Sequence, residues 1–387
     1  MFPKKRKLVF ILYSAFTDKP GGRENWIRNI STCLDNSIEI ICYQSEDQEE
    51  LVRNIKIKRV STLRSAIPYF NILAKASLGL LLVLDMVWFI AKTFQYAKEH
   101  REDYEDDTVF IAMNSVIEGS AALLIKKALK KKVIISVRGK SPLELSTTLP
   151  YLKPFVYGIE KKVLRSADEI WANGFDTANY VKQATGRTSQ VIPNGVDFAA
   201  FVKAGTKKRD NSLEVVVMSV ATLRRIKGIP QIINSIPKIK ENTGKSFKVV
   251  FAGFGNPKKY IRHLKKMGCG QYANFVGMKP SVEIIGSADI VACLSGGAGM
   301  SMSALEAMAA GKAIVAWNSP IYKQLLEHGK SALFVPEGNV DELARSISSL
   351  IENPNLRYRL GEEAQKEARN YDWRKVCDKI KQELIKV

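Results

Sequence analysis

Three short stretches of the chain combine residue types suited to holding an anion. Residues 295–311 read SGGAGMSMSALEAMAAG, a run of small or flexible residues followed by a helix-like stretch with one carboxylate, Glu306. Gly296, Gly297 and Gly299 can take positive φ and turn successive N–H groups inward as a concave nest. Ser303 and Glu306 have the S-x-x-E spacing of a capping box, which is one reading of the glutamate. The other is a carboxylate that accepts two hydrogen bonds from the vicinal hydroxyls of a ribose. Residues 219–233, SVATLRRIKGIPQII, set Arg224, Arg225 and Lys227 between a strand and a helix. Cations at a helix start oppose its dipole unless something negative lies between them. A diphosphate resolves that conflict, with arginine binding two oxygens and lysine acting as a point charge. At 20–30, PGGRENWIRNI places Gly21 and Gly22 at another strand-to-helix junction, where free N–H groups suit an anion or a tight turn suffices. Together the three loops describe a site for a nucleoside diphosphate.

Such loops need a strand before them and a helix after them. In the first half KLVFILY, IEIICY, TVFIAM, KVIISV and EIWAN read as strands buried on both faces, separated by helix-like stretches at 23–34, 66–98, 117–130 and 154–166. LEVVVMSV, FKVVFAGF, ANFVG, DIVACLS, AIVAW and ALFVP repeat the rhythm in the second half. Strands alternating with helices mean βαβ units and parallel sheets with helices on both faces. With 387 residues the default is two domains. The break falls around 190–212, where PNG is a turn signal and Lys203 to Ser212 reads as exposed linker. The expectation is an α/β chain of two doubly wound Rossmann-like domains facing across a cleft: an acceptor-side domain over 1–190, a nucleotide-sugar-binding domain over 191–369, and a last helix, about 370–387, packing back on the first. Ligands in such sheets sit at the carboxyl ends of strands.

Composition narrows the class. An apolar content of 46% supports buried cores. The five cysteines, Cys33, Cys42, Cys269, Cys293 and Cys377, have no CxxC spacing, which favours a reducing compartment and argues against a zinc site or a disulfide framework. The start, MFPKKRKLVFILYSAF, imitates a signal peptide, but its apolar run is short and a glycine turn follows, so a first buried strand is the better reading. The formal charge of +20 divides as +8 up to residue 190 and +12 beyond it. Spread over two folded surfaces, it attracts nucleic acid, anionic lipid or phosphorylated substrates. No interleaving of basic residues with exposed aromatics marks a nucleic-acid surface, so nucleic acid is not expected as a partner.

VATLRRIKG, VVFAGFGN, NFVGMKP, SADIVACLS and LEAMAAGKAIVA, preceded by VIPNGVD, stand in the order that resembles glycosyltransferase family 4. The resemblance covers roughly 165–375 strongly and the first half loosely. It implies the GT-B fold and transfer of a sugar from a nucleotide sugar, usually with retention, without metal and without a cofactor. By position it implies that Lys227 meets the donor diphosphate and Glu306 the ribose. Backbone around Met278 would contact the base. Gly299, Met300, Ser301, Met302, Ser303 and Leu305 would contact sugar and phosphate, and Gly22 would approach from the other domain. Gly253, in VVFAGFGN, belongs to the same donor side. Three positions depart from the family's pattern: Thr222 stands where an arginine is common, Ala298 where a first glutamate is, and Arg138 where a histidine is. Arg224 or Arg225 could supply the missing cation, and Arg138 suits an acidic sugar or a phosphorylated acceptor. His100, His263 and His328 all lie outside these loops, so no acid–base histidine is evident.

The stretch 76–91 holds 16 residues with one charge, Asp85, short of the roughly 20 needed to span a bilayer. It is either a buried helix or a surface helix with Trp88, Phe89 and Phe94 inserted in a membrane. The runs KKRK at 4–7 and KKALKKK at 126–132 fit an anionic surface as well as solvated faces. The reading is therefore a glycosyltransferase that uses a nucleotide sugar, UDP favoured over GDP, and a glycan or lipid-linked acceptor, in the cytoplasm and peripheral on the inner face of the cell membrane. A nucleotide-sugar epimerase and a donor-binding protein without catalysis are the alternatives.

Overall fold

A computed structural model describes the chain except residues 1–5, 15–21, 35, 45–47, 53–54, 68, 71–72, 74–76, 78, 140–149, 207–213 and 298. Gly21, Ala298, the first lysines of KKRK and most of the linker at 203–212 lie outside the described residues. The chain divides into two compact units, Met1–Pro193 with Val376–Val387, and Asn194–Lys375.

In the first unit the strands are β1 (Lys7–Leu12), β2 (Ser37–Gln44), β3 (Gln48–Val52), β4 (Ile55–Ser61), β5 (Val109–Ala112), β6 (Lys132–Val137), β7 (Glu169–Ala172) and β8 (Gln190–Val191). They form one sheet in the order β3-β4-β2-β1-β5-β6-β7-β8, parallel except where β3 runs antiparallel to β4. Its helices are α1 (Gly22–Ser31), α2 (Leu63–Ala66), α3 (Leu80–Glu99), α4 (Ile117–Leu129), α5 (Lys153–Ser166) and α6 (Phe175–Thr185). β3 and β4 fall outside the strands read from the sequence, because IKIKRV, next to the edge strand β3, alternates apolar with cationic residues instead of forming an apolar run. Leu8 to Leu12 are completely buried, as a central strand covered on both faces must be.

Helix α3 inverts the usual pattern. It buries Asp85, Phe89, Thr93 and Tyr96 and leaves Leu80, Leu84, Val87 and Trp88 exposed. Two of the buried polar groups are paired within the unit: Asp85 accepts from the Tyr13 hydroxyl and, at 2.8 Å, from the Arg64 N–H, while Tyr96 donates to Glu39 at 3.0 Å. Phe89 therefore belongs to the core and is not available for insertion, and Phe94 is half-buried. Cys33 and Cys377, 344 residues apart, are joined by a disulfide with Cα atoms 6.3 Å apart. That overturns the reading of the scattered cysteines as unbridged: spacing along the chain carries no information about a pair made by tertiary packing.

The second unit contains α7 (Phe198–Gly205), β9 (Val215–Val220), α8 (Ile229–Asn242), β10 (Phe247–Ala252), α9 (Lys258–Lys266), β11 (Ala273–Gly277), α10 (Ser281–Gly286), β12 (Ile290–Cys293), α11 (Met302–Ala309), β13 (Ala313–Trp317), α12 (Pro320–Lys323), β14 (Leu333–Val335), α13 (Val340–Glu352) and α14 (Pro354–Ala368). The last helix, α15 (Trp373–Lys386), begins in this unit and ends in the first. The all-parallel sheet has the order β11-β10-β9-β12-β13-β14. This is the 3-2-1-4-5-6 arrangement of doubly wound nucleotide-binding folds, whose strand order reverses between the first and fourth strands. In α8 the buried Ile229, Ile232, Ile233, Ile236 and Ile239 recur at helical spacing and pack on Val217, Val249 and Phe251 of the sheet. That apolar stripe fixes where the loop before α8 must stand.

Candidate functional site

The reversal point in the second unit lies between β9 and β12, and the basic loop and the small-residue loop leave these two strands. Both are pulled together by backbone contacts. Gly228, at φ +72°, ends the 3₁₀ turn Arg225–Lys227, and a Cβ there would come within 2.4 Å of Leu294 Cβ. Only glycine meets both demands. The Gly296 N–H donates to the Ile226 carbonyl at 2.8 Å, and Lys227 Nζ donates to Ser295 Oγ at 2.9 Å. Arg224 and Arg225 are exposed in the same loop as the partly buried Lys227, whose ammonium is the cation seen to reach the loop that leaves β12.

Glu306 lies on α11, whose N-cap is Ser301: its Oγ accepts from the Ala304 N–H at 3.3 Å. The capping box suggested by Ser303 and Glu306 is therefore not the arrangement present. Glu306 instead accepts from Ser281 Oγ at 3.1 Å, and Ser281 opens α10. Burial drives the Glu306 carboxyl up to about 7, while the Ser281 hydrogen bond pulls the other way. The nearby Cys293 thiol is pushed up to about 12, first by burial, so it stays protonated and inert.

The remaining donor-side residues divide by role. The Leu305 side chain is in the core and its N–H bonds to the Ser301 carbonyl, so neither faces a ligand. With Ala304 and Leu305 engaged, the N–H groups of Met302 and Ser303 are the ones the cap leaves at the helix start. Gly299 is at φ +96°, and its carbonyl accepts from Gln324 at 2.8 Å. Met300 is half-buried against the core. Gly253 has no room for a side chain, since a Cβ would meet the Ala221 carbonyl oxygen at 2.0 Å; its glycine serves packing between neighbouring loops. Met278 is 62% exposed, and with Phe254 and Ile226 it places three exposed apolar side chains in the loops after β11, β10 and β9.

Sequence reasoning missed Ser281, Tyr322 and Gln324. The Tyr322 hydroxyl accepts from the Ser295 N–H at 2.8 Å, and α12 carried no motif to signal it.

In the first unit Arg138 follows β6. Its guanidinium carbon lies 4.3 Å from the centroid of the Trp26 ring, and it donates to Ser136 Oγ at 3.3 Å. Burial, and then the charge of Arg23, lower its pKa to about 9. Arg23 itself pairs with the buried Glu118 at 2.9 Å. Gly22 opens α1 with nothing within 4 Å of a Cβ, so packing does not require its glycine. His100 bonds to Tyr96, His263 to Asn234 on the neighbouring helix α8, and His328 to Phe334.

Residues 204–367 match the family model described as glycosyl transferases group 1. The matched residues lie within the second unit. An uncharacterized glycosyltransferase of Methanocaldococcus jannaschii is 25% identical over 268 residues, 65% of this chain and 67% of that protein. The chain spans about half the length of the other curated relatives it matches. Among solved structures, sucrose-phosphate synthase from Thermosynechococcus elongatus superposes with a TM-score of 0.79 at 14% identity, covering 99% of both chains. Anabaena HepE, solved in complex with UDP and glucose, gives a TM-score of 0.76 at 19% identity, covering 98% of this chain and 99% of that one. The fold is that of GT-B glycosyltransferases along the whole chain.

Proposed function

We propose that the chain transfers a sugar from a nucleoside diphosphate sugar, UDP favoured over GDP, to a lipid-linked or glycan acceptor. We assign it to family 4, with retention of configuration and without metal or cofactor. The observation that carries this reading is that Lys227 meets the small-residue loop at the reversal point of a 3-2-1-4-5-6 sheet, with Glu306 on the helix that this loop opens. Lys227 would neutralise charge on the departing diphosphate, and Arg224 or Arg225 would take the part of the cation absent at Thr222. The Met302 and Ser303 N–H groups would meet phosphate or sugar oxygens, and Glu306, once ionised, the ribose hydroxyls. Exposed Met278 and Phe254 offer apolar surface to the base. UDP is favoured because HepE, of the same fold, is solved with it. Arg138, beside Arg23, suits an acceptor that carries negative charge.

A peripheral place on the cytoplasmic face of an anionic membrane is part of the proposal. The net charge of +20 and the exposed Leu80, Leu84, Val87 and Trp88 of α3 support it. The Cys33–Cys377 bridge is the observation against a reducing compartment.

Calorimetric titration with UDP and GDP, for the native chain and for Lys227→Ala, tests the donor site. One nucleotide should bind, and loss of the lysine should weaken it by about 10- to 100-fold, the range for losing a charge-assisted contact. Failure of both nucleotides to bind would remove the donor assignment. Binding without turnover of any UDP-sugar, across acceptors, would favour a donor-binding protein without catalysis.

A further inference from the structure

The small-residue loop has to be both open and well placed. Residues 295–301 offer little side-chain mass to hold themselves, so the placement must come from outside. Two contacts come from the basic loop: Ile226 accepts from Gly296, and Lys227 donates to Ser295. The others come from the segment after β13. The Tyr322 hydroxyl accepts from the Ser295 N–H at 2.8 Å. Two residues on, Gln324 Nε2 donates to the Gly299 carbonyl at 2.8 Å. Tyr322 thus holds Ser295, the first residue of the loop, and Gln324 holds Gly299 near its end. Ser295 also accepts from Lys227, and two residues past Gly299 the loop ends at Ser301, the N-cap of the helix that carries Glu306.

Tyr322 is completely buried, so it touches no ligand itself. A phenylalanine would fill the same space. What tyrosine adds is an acceptor for a backbone N–H that would otherwise have none at that point, and such a loss is costly in a buried setting. Since burial is the leading influence on this phenol and raises its pKa, the group stays protonated, and its oxygen still accepts from the Ser295 N–H.

We propose that Tyr322 is a positioning residue of the donor site: its hydroxyl fixes Ser295, and through Ser295 the Lys227 ammonium, where a nucleoside diphosphate is met. The inference rests on the donor site proposed above and adds the group that sets its geometry.

The test is a double-mutant cycle on the full chain, read as calorimetric UDP affinity for native, Tyr322→Phe, Lys227→Ala and the double variant. Tyr322→Phe should weaken UDP binding by about 10- to 50-fold, the scale of one misplaced charge-assisted contact. In the Lys227→Ala background the same change should cost less than about threefold, because the lysine through which it acts is gone. An equal loss in both backgrounds, as a purely structural role would give, overturns the proposal. So does a change of less than about twofold in the native background. If Tyr322→Phe does not fold, Ser295→Ala, which removes the lysine's partner at a partly exposed position, should reproduce the loss and be non-additive with Lys227→Ala; additivity overturns the proposal. A native chain that binds no UDP or GDP instead overturns the donor site, and this inference with it.

Discussion

Replacing Glu306 by glutamine should stabilise the free protein while weakening its ligand, and the pH at which it does so follows from the burial of the carboxyl. Burial raises this group from 4.5 to about 7, so the folded chain holds its proton more tightly than the unfolded chain does. A raised folded-state pKa means stability that is fully present below about pH 4.5 and lost as the pH climbs to about 7. One pKa unit is about 1.36 kcal/mol, so the loss is about 3 kcal/mol, an upper figure because the side chain is partly exposed. Glutamine has nearly the same shape and no charge to bury. At pH 5 the two proteins should therefore melt close together. At pH 8 the variant should melt higher, by up to roughly 10 °C for a domain of this size, where 1 kcal/mol moves Tm by about 2–4 °C. Differential scanning calorimetry between pH 5 and 8 without ligand measures this directly. UDP should show the opposite trend, binding the glutamine variant at least about tenfold more weakly, because only the carboxylate accepts from both ribose hydroxyls. Melting curves that stay parallel across this pH range would refute the burial argument, and unchanged UDP affinity would refute the ribose assignment.

Other expectations follow from the same contacts. Gly228→Ala should cost more than about 2 kcal/mol and abolish UDP binding, because the residue is at positive φ and its Cβ would strike Leu294; an unchanged Tm would contradict the close approach. Thiol titration of the unfolded, unreduced chain should find three free cysteines, Cys42, Cys269 and Cys293, and reduction should lower stability by about 2–5 kcal/mol; five free thiols would exclude the bridge. Leu84→Ser with Trp88→Ser should leave Tm within about 1 °C, since both are exposed, yet reduce sedimentation with anionic vesicles at low salt; native protein that never sediments would remove the membrane proposal.

Much of the architecture was legible because it is written in local periodicity. An apolar run such as Leu8 to Leu12 can only be a strand covered on both faces, and Ile229, Ile232, Ile233, Ile236 and Ile239 can only be one stripe of a helix. Alternation of the two demands parallel βαβ units. The basic loop and the small-residue loop were also visible as local conflicts, cations at a helix start and a carboxylate in an uncharged run. Strand order was not visible. Sequence does not say that β12 lies beside β9, and that adjacency alone brings Lys227 to Ser295, 68 positions away. Nor does it say that Glu306 meets Ser281 instead of capping its own helix, that Tyr322 and Gln324 hold the loop from behind, or that Cys33 reaches Cys377. It also gave no hint that α3 turns Asp85 inward and Trp88 outward, because burial of that helix depends on Tyr13 and Arg64, which stand far from it in the chain. Element type follows from spacing that neighbours share, whereas hydrogen-bond partners are chosen by packing between segments whose separation along the chain carries no signal. For this protein the sequence determined the kinds of groups available to a ligand, and the tertiary structure decided which of them stand together.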